Sequence, residues 1–237
     1  MAYELYYWPG LQGRGEFVRL ALEEAGADYV DVAREDGVGA LMRAWDDAMI
    51  ATPSFAPPFL RDRKRLIGQT ANIVTYLGER HGLVPKAEAE RLWAHQIQLT
   101  IADLVVEAHD VHHPLGGDLY YEDQKPEAKR RSQAFRQSRI PRFLGWFESI
   151  LARNPKGNKH LVGARISTAD LSLFQVVAGL RYAFPEAMAR IEADHPLVVA
   201  LHDRVAKRPR IAAYLASDRR EAFNEDGIFR HYRELDG

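Results

Sequence analysis

The sequence predicts two structural halves, a small α/β unit with a mixed four-stranded sheet followed by an all-α unit. Three observations carry this. Residues 3–82 alternate short β-rich runs with amphipathic helical ones. From Glu88 onward the strand signal vanishes and helical periodicity takes over. Between them GLVPKAEAE has the Gly, Pro and polar composition of a linker, which sets the expected halves at 1–82 and 83–237.

Each element has its own signal. Residues 3–8, YELYYW, alternate like a strand and run into Pro9-Gly10. Residues 15–25 place Phe17, Leu20, Ala21 and Ala25 on one helical stripe. Tyr29 to Val32 is a short second strand, and the segment around Trp45 carries no clear pattern. Phe59-Leu60 and Leu66-Ile67 are strands joined by the charged turn RDRKR. QTANIVTYLGERHGL starts with capping-type polar residues and keeps Ile73, Tyr76 and Leu77 on one face, with Gly78 and Gly82 as its expected end. A crossover helix makes the first two strands parallel, whereas the hairpin is antiparallel. Beyond the linker, helices are expected at about 88–113, 126–152, 168–183, 197–207 and 209–216. Ser167 is the expected N-cap of the third, with Asp170 three residues on as its capping-box partner.

Composition excludes several functions. With no cysteine there is no disulfide, no thiolate metal site and no cysteine nucleophile. A net charge of −1 from mixed acids and bases, with only RDRKR and KRR as basic clusters, argues against nucleic-acid binding. The N-terminus lacks a basic region followed by an apolar one, and no apolar run approaches the ~18 residues that span a bilayer. The expectation is a cytoplasmic protein without membrane contact. Gly10, Gly13 and Gly15 do not make a dinucleotide loop, because the continuation lacks a Rossmann pattern.

Three motifs, in this order and spacing, carry a family resemblance over essentially the whole chain: YYWPGLQGRGEFVRL, APPFL followed by IGQTANIVTYLG, and LVGARISTADLSLF. Together they resemble the cytosolic glutathione transferases of the tyrosine-using sigma, pi and mu-like classes, in a bacterial-style variant. The resemblance implies a thioredoxin-like N-terminal domain for glutathione and a helical domain for a soft hydrophobic electrophile. It further implies a homodimer, no metal and no tightly bound cofactor, glutathione being a co-substrate.

The resemblance also assigns residues. Tyr7, followed by Trp8, matches the tyrosine that donates its hydroxyl to the glutathione sulfur. A thiol with a pKa near ~8.5 is only ~3% thiolate at pH 7, and lowering it to ~6.5 requires about 2.7 kcal/mol. One charge-assisted hydrogen bond of roughly 1.5–3 kcal/mol supplies most of that. Period-2 alternation puts Tyr6 on the opposite face, so only one of the pair serves. The loop from Tyr7 to Gly13 is one residue longer than the family's spacing, which leaves Tyr6 as the alternative. Arg14 matches an arginine near the γ-glutamyl end, or is a solvated charge at the helix start. Gln69 and Thr70 match the pair that holds the γ-glutamyl carboxylate at a helix N-terminus, where free N–H groups and the dipole favour an anion.

Asp103 matches an acid that reaches across the dimer, and Trp45 a tryptophan near the glycyl carboxylate. Pro58 matches the family's cis-proline, with a cis bond at Pro57 as the alternative. An ordinary residue before it pairs with the cysteinyl backbone, but Pro57 has no N–H to offer. His109, His112 and His113 are expected to border the electrophile pocket with Trp8 and the tail residues Phe229 and Tyr232. HDVHH invites a metal reading, since residues three and four apart share a helix face. Without a placed carboxylate the histidines read as polar wall, and no metal is expected. Two rival functions stay open, a non-catalytic ligand carrier with this fold and a glutathione-dependent isomerase.

Overall fold

Strand β1 (Tyr3–Tyr6) lies inside a four-stranded sheet of order β2-β1-β3-β4. A computed structural model describes residues 2–237. β1 pairs in parallel with β2 (Tyr29–Asp31) through α1 (Gly15–Ala25), and antiparallel with β3 (Phe59–Asp62). β3 and β4 (Arg65–Gly68) close the hairpin, with Arg63 at φ +58 in the turn.

β1 is shorter than the aromatic run suggests. Its last partner is Phe59, opposite Tyr6, and the residues before Phe59 are prolines without N–H groups, so the ladder cannot extend to Tyr7 and Trp8. Val32 leaves the strand to begin α2 (Val32–Glu35), and the patternless segment folds as α3 (Val38–Trp45). The helix after β4, α4 (Thr70–His81), passes through Gly78 and ends at Gly82, which is left-handed at φ +68. Gly78 serves packing: a Cβ there would sit 2.8 Å from Val84 Cγ1 and 3.2 Å from Thr168 Cγ2.

The helical half begins with α5 (Glu88–Asp110), followed by α6 (Lys125–Ala134), one wide π-turn (Phe135–Arg139) and α7 (Ile140–Arg153). α8 (Thr168–Ala183) is its central helix, with only three of its sixteen residues outside the buried set. The capping box forms: Asp170 accepts hydrogens from Ser167 N at 2.7 Å and Leu161 N at 2.8 Å, while Ser167 Oγ faces Asp170 N. Thr168 N donates to Leu83 O, which ties the linker to this cap. α9 (Pro185–Ile191) was not expected from the sequence; α10 (Pro196–Ala206), α11 (Pro209–Leu215) and α12 (Arg233–Asp236) complete the chain.

One apolar core runs through both halves. Phe17 and Leu22 of α1, Leu77 of α4, Ile101 of α5 and Phe174 of α8 all belong to it. A smaller cluster on the other face of the sheet contains Tyr6, Val32, Leu41 and Phe59. Among the described residues no helix is long and apolar enough to cross a membrane.

Candidate functional site

Tyr7 leaves β1 with its ring under the loop that leads into α1. The fit depends on two glycines: a Cβ on Gly13 would lie 2.1 Å from the Tyr7 hydroxyl, and one on Gly15 would lie 2.4 Å from Tyr7 Cδ1. The hydroxyl oxygen accepts the backbone N–H of Arg14 at 2.8 Å. Burial raises the phenol pKa, opposed by that N–H and by the charges of Arg14 and Arg19. Tyr7 is therefore a neutral phenol at pH 7; it is buried, it is not among the residues that line the adjacent cavity, and its own proton has no acceptor among the described residues.

Tyr6 points the other way. Its ring stacks on Phe59 at 4.6 Å and its hydroxyl donates to Glu4 Oε2 at 2.7 Å; burial, and after it that bond, pushes its pKa up to about 12. Strand alternation thus separates the two tyrosines as expected.

Buried charges hold the loop. Arg19, fully buried, pairs with Asp31 at 2.7 Å and Glu16 at 3.6 Å, and its Nη1 faces the carbonyls of Leu11 and Gln12 at 3.4 Å. Glu16 also accepts from Tyr214 at 2.9 Å and meets Arg220 at 3.2 Å. From the C-terminal tail, Asn224 donates to Gly10 O at 2.6 Å, and Glu221 O accepts from Gln12 Nε2 at 2.7 Å.

Beside this loop is a cavity of about 710 Å³. Arg14, Pro57, Pro58, Gln69 and Thr70 line one side, so five of the residues singled out in the sequence converge. The cis peptide bond joins Pro57 to Pro58. Gln69 sits at φ +67, a left-handed conformation that costs a non-glycine residue ~1–3 kcal/mol and clusters at functional sites. The first-turn N–H groups of Thr70, Ala71 and Asn72 have no partner within α4, and all three residues line the cavity. Among the described residues Thr70 Oγ1 is likewise buried without a partner. Unpaired N–H groups, a helix dipole and the Arg14 cation together suit an anion.

The opposite wall belongs to α5: Gln98, Ile101, Ala102 and Val105. Sequence reading missed these, although their i, i+3, i+4, i+7 spacing was the available signal. The histidines expected in that wall lie elsewhere. α5 ends at Asp110, ahead of Pro114, and the chain turns there. His112 is 2% exposed, with Nε2 2.8 Å from Ile228 O, so it anchors the tail and does not line the cavity. Burial lowers the pKa of all three, that of His112 to about 3. His113 Nδ1 is 2.5 Å from His112 Nδ1, and a carboxylate that sequence reading did not place, Asp110, is 3.6 Å from His109 Nδ1.

Phe229 is core, filling the space over Gly179, and Tyr232 stacks on Tyr121 at 3.9 Å. Trp8 and Trp45 meet edge-on at 6.2 Å against the smaller cluster, away from the cavity lining. The Trp45 indole N–H donates to Ser54 O at 3.0 Å. Asp103 is exposed and outside the lining.

Comparison with known proteins places the chain near one group of enzymes. Residues 109–218 match the family model described as glutathione S-transferase, C-terminal domain. Glutathione S-transferase P 1 of Xenopus laevis is 28% identical over 222 residues, 92% of this chain and 93% of that one. Glutathione S-transferase A3 of Mus musculus is 28% identical over 215 residues, 89% and 87% of the two chains. The solved Pi-class glutathione S-transferase of Onchocerca volvulus shares the fold, with a TM-score of 0.68 at 23% identity over 91% of this chain and 92% of that one. All three are eukaryotic, so the bacterial-style variant has no counterpart among them. The similarities support the cytosolic glutathione transferase family and a glutathione S-transferase as the enzyme class.

Proposed function

We propose that the chain is a tyrosine-type glutathione S-transferase in which Tyr7 activates the thiol. Residues 1–82 hold glutathione and residues 83–237 supply the electrophile side. The observation that carries the reading is the state of the Tyr7 hydroxyl: its lone pair takes the Arg14 N–H, and its proton has no acceptor among the described residues. A neutral phenol fixed in that way stabilises a thiolate by donation and leaves the thiolate nucleophilic.

The γ-glutamyl carboxylate is assigned to Gln69, Thr70 and the N-terminus of α4, with Arg14 as the nearby cation. The cysteinyl backbone is assigned to the Pro57-Pro58 edge. Burying an anion at unpaired N–H groups yields binding energy without disturbing any existing bond. The electrophile lies against Ile101, Ala102 and Val105, an apolar wall suited to a soft hydrophobic molecule. The sulfur attacks the electrophilic carbon, that carbon's leaving group departs with its electron pair, and the thiol proton passes to solvent.

The proposal includes a homodimer. Leu92, Leu99 and Val106 are exposed at seven-residue spacing along α5, and Phe55 is 89% exposed beside the cavity. Such an apolar face suits a second copy, which brings Asp103 of one chain toward the site of the other. A cytoplasmic location follows from the reaction, which consumes reduced glutathione.

A thiolate difference spectrum on adding glutathione at pH 7 tests the proposal. The wild-type protein is expected to develop the thiolate band, and Tyr7→Phe to bind glutathione with little of it. Equal bands in both proteins would remove Tyr7 from the role, and no binding at millimolar glutathione would remove the reading as a whole.

A further inference from the structure

The end of α5 gathers three imidazoles that the transferase reading does not use. After Asp110 the chain turns, with His112 N 3.2 Å from His109 O. One ring nitrogen from each of His109, His112 and His113 lies within 4.8 Å of the other two. The ring centroids are 4.7 to 5.0 Å apart.

The outer partners decide which nitrogens are free. Ile228 O is an acceptor only, so the proton of neutral His112 sits on Nε2 and its Nδ1 lone pair faces inward. That lone pair meets Nδ1 of His113 at 2.5 Å. Two lone pairs cannot face each other at that distance, so His113 Nδ1 carries its hydrogen and donates it to His112 Nδ1, and a metal can take that hydrogen's place between the two nitrogens. Asp110 faces His109 Nδ1 and favours the hydrogen there, which leaves His109 Nε2 as its basic nitrogen.

We propose that His109, His112 and His113 bind a divalent late first-row transition metal, Zn²⁺ being the reference case, with Ile228 O and Asp110 as the groups that orient the imidazoles. Three imidazole nitrogens suit Zn, Cu and Ni, and a three-nitrogen set leaves a further position for water. Carbonyl and carboxylate partners on the far nitrogens are the usual outer support for such ligands. A metal with bonds of about 2.05 Å in tetrahedral geometry needs its ligands roughly 3.3 Å apart. The His112–His113 pair must therefore open, and His113 must move its proton from Nδ1 to Nε2. His113 is only half-buried, so its ring has room to turn and the ion has a route in. Of the nearby cations, Arg230 is turned toward the carbonyls of Gly227 and Asp226, and Arg14 belongs to the cavity wall. Because His112 already holds Ile228, the metal would fasten the end of α5 to the C-terminal tail.

Chelator-treated, untagged full-length protein titrated with Co²⁺ tests this, read by the visible ligand-field absorption of low-coordinate cobalt and its displacement by Zn²⁺. His113→Ala and His109→Ala are expected to weaken Co²⁺ binding at least 10-fold, a ligand mattering no less than its outer support. His81→Gln, outside the cluster, should bind as the wild type does. Zn²⁺ should also raise the Tm of the wild type and leave that of His113→Ala unmoved. Absence of both the cobalt band and the Tm shift at millimolar metal would overturn the proposal, as would full binding in both alanine variants. No glutathione enters the test, so its outcome is separate from that of the transferase reading.

Discussion

The backbone nitrogen of Arg14 donates its hydrogen to the hydroxyl oxygen of Tyr7 across 2.8 Å. This relationship makes the phenol a directed donor, because accepting from a backbone amide fixes where its own proton can go. Removing the donor while keeping the ring tests its magnitude. In Tyr7→Phe the loss of about 1.5–3 kcal/mol corresponds to a rise of roughly one to two units in the pKa of the bound thiol. The acid limb of the kcat/KM against pH profile for the electrophile, taken at saturating glutathione, should move to higher pH by that amount. Since burial raises the Tyr7 pKa, the wild-type phenol stays protonated as pH rises through neutrality and no alkaline limb appears there. Tyr6→Phe should leave the profile in place.

Gly15→Ala should impair the same step without touching a reacting group. The new Cβ would stand 2.4 Å from Tyr7 Cδ1, so the ring or the helix start must shift. Overpacking of this kind costs about 1–3 kcal/mol. A lower Tm together with an acid limb displaced toward that of Tyr7→Phe is the expected pair of observations.

Gln69→Gly separates the side-chain amide from the backbone conformation, since glycine adopts φ +67 freely. Glutathione affinity should fall by about 5- to 10-fold for one lost hydrogen bond, with Tm unchanged or higher. Isothermal titration beside a thermal melt reads both.

Pro57→Val restores an N–H at the cavity wall. If that group pairs with the cysteinyl backbone, glutathione should bind roughly 2- to 10-fold more tightly, the worth of one net hydrogen bond of about 0.5–1.5 kcal/mol. Unchanged affinity by titration would mean that a water or side chain already fills the role.

Asp103→Ala addresses the second copy. Sedimentation should show a dimer for both proteins, and the variant should bind glutathione several-fold more weakly. A monomer at micromolar protein with unchanged affinity would sink the shared-site arrangement.

The sequence by itself determined the four strands, the parallel pairing of the first two and the antiparallel hairpin of the last two, the opposite placement of Tyr6 and Tyr7, and the capping box at Ser167 and Asp170. All of these follow from local periodicity or from residues a few positions apart. It also singled out Arg14, Pro57, Pro58, Gln69 and Thr70, whose motifs are short and whose cavity is built by the loops that carry them. Only the tertiary structure decided where the histidines go. Their spacing suggested one helix face, but α5 stops at Asp110, and Ile228, more than a hundred residues later, takes the Nε2 hydrogen of His112. The length of β1 was decided in the same way, by the prolines just ahead of β3, about fifty residues along the chain. The wall made by α5 and the loop tether made by the tail depend on two halves sharing one core. Periodicity reports which face of an element is apolar; the identity of the element that covers it is set by packing and by the pairing of buried polar groups, and neither is written locally in the chain.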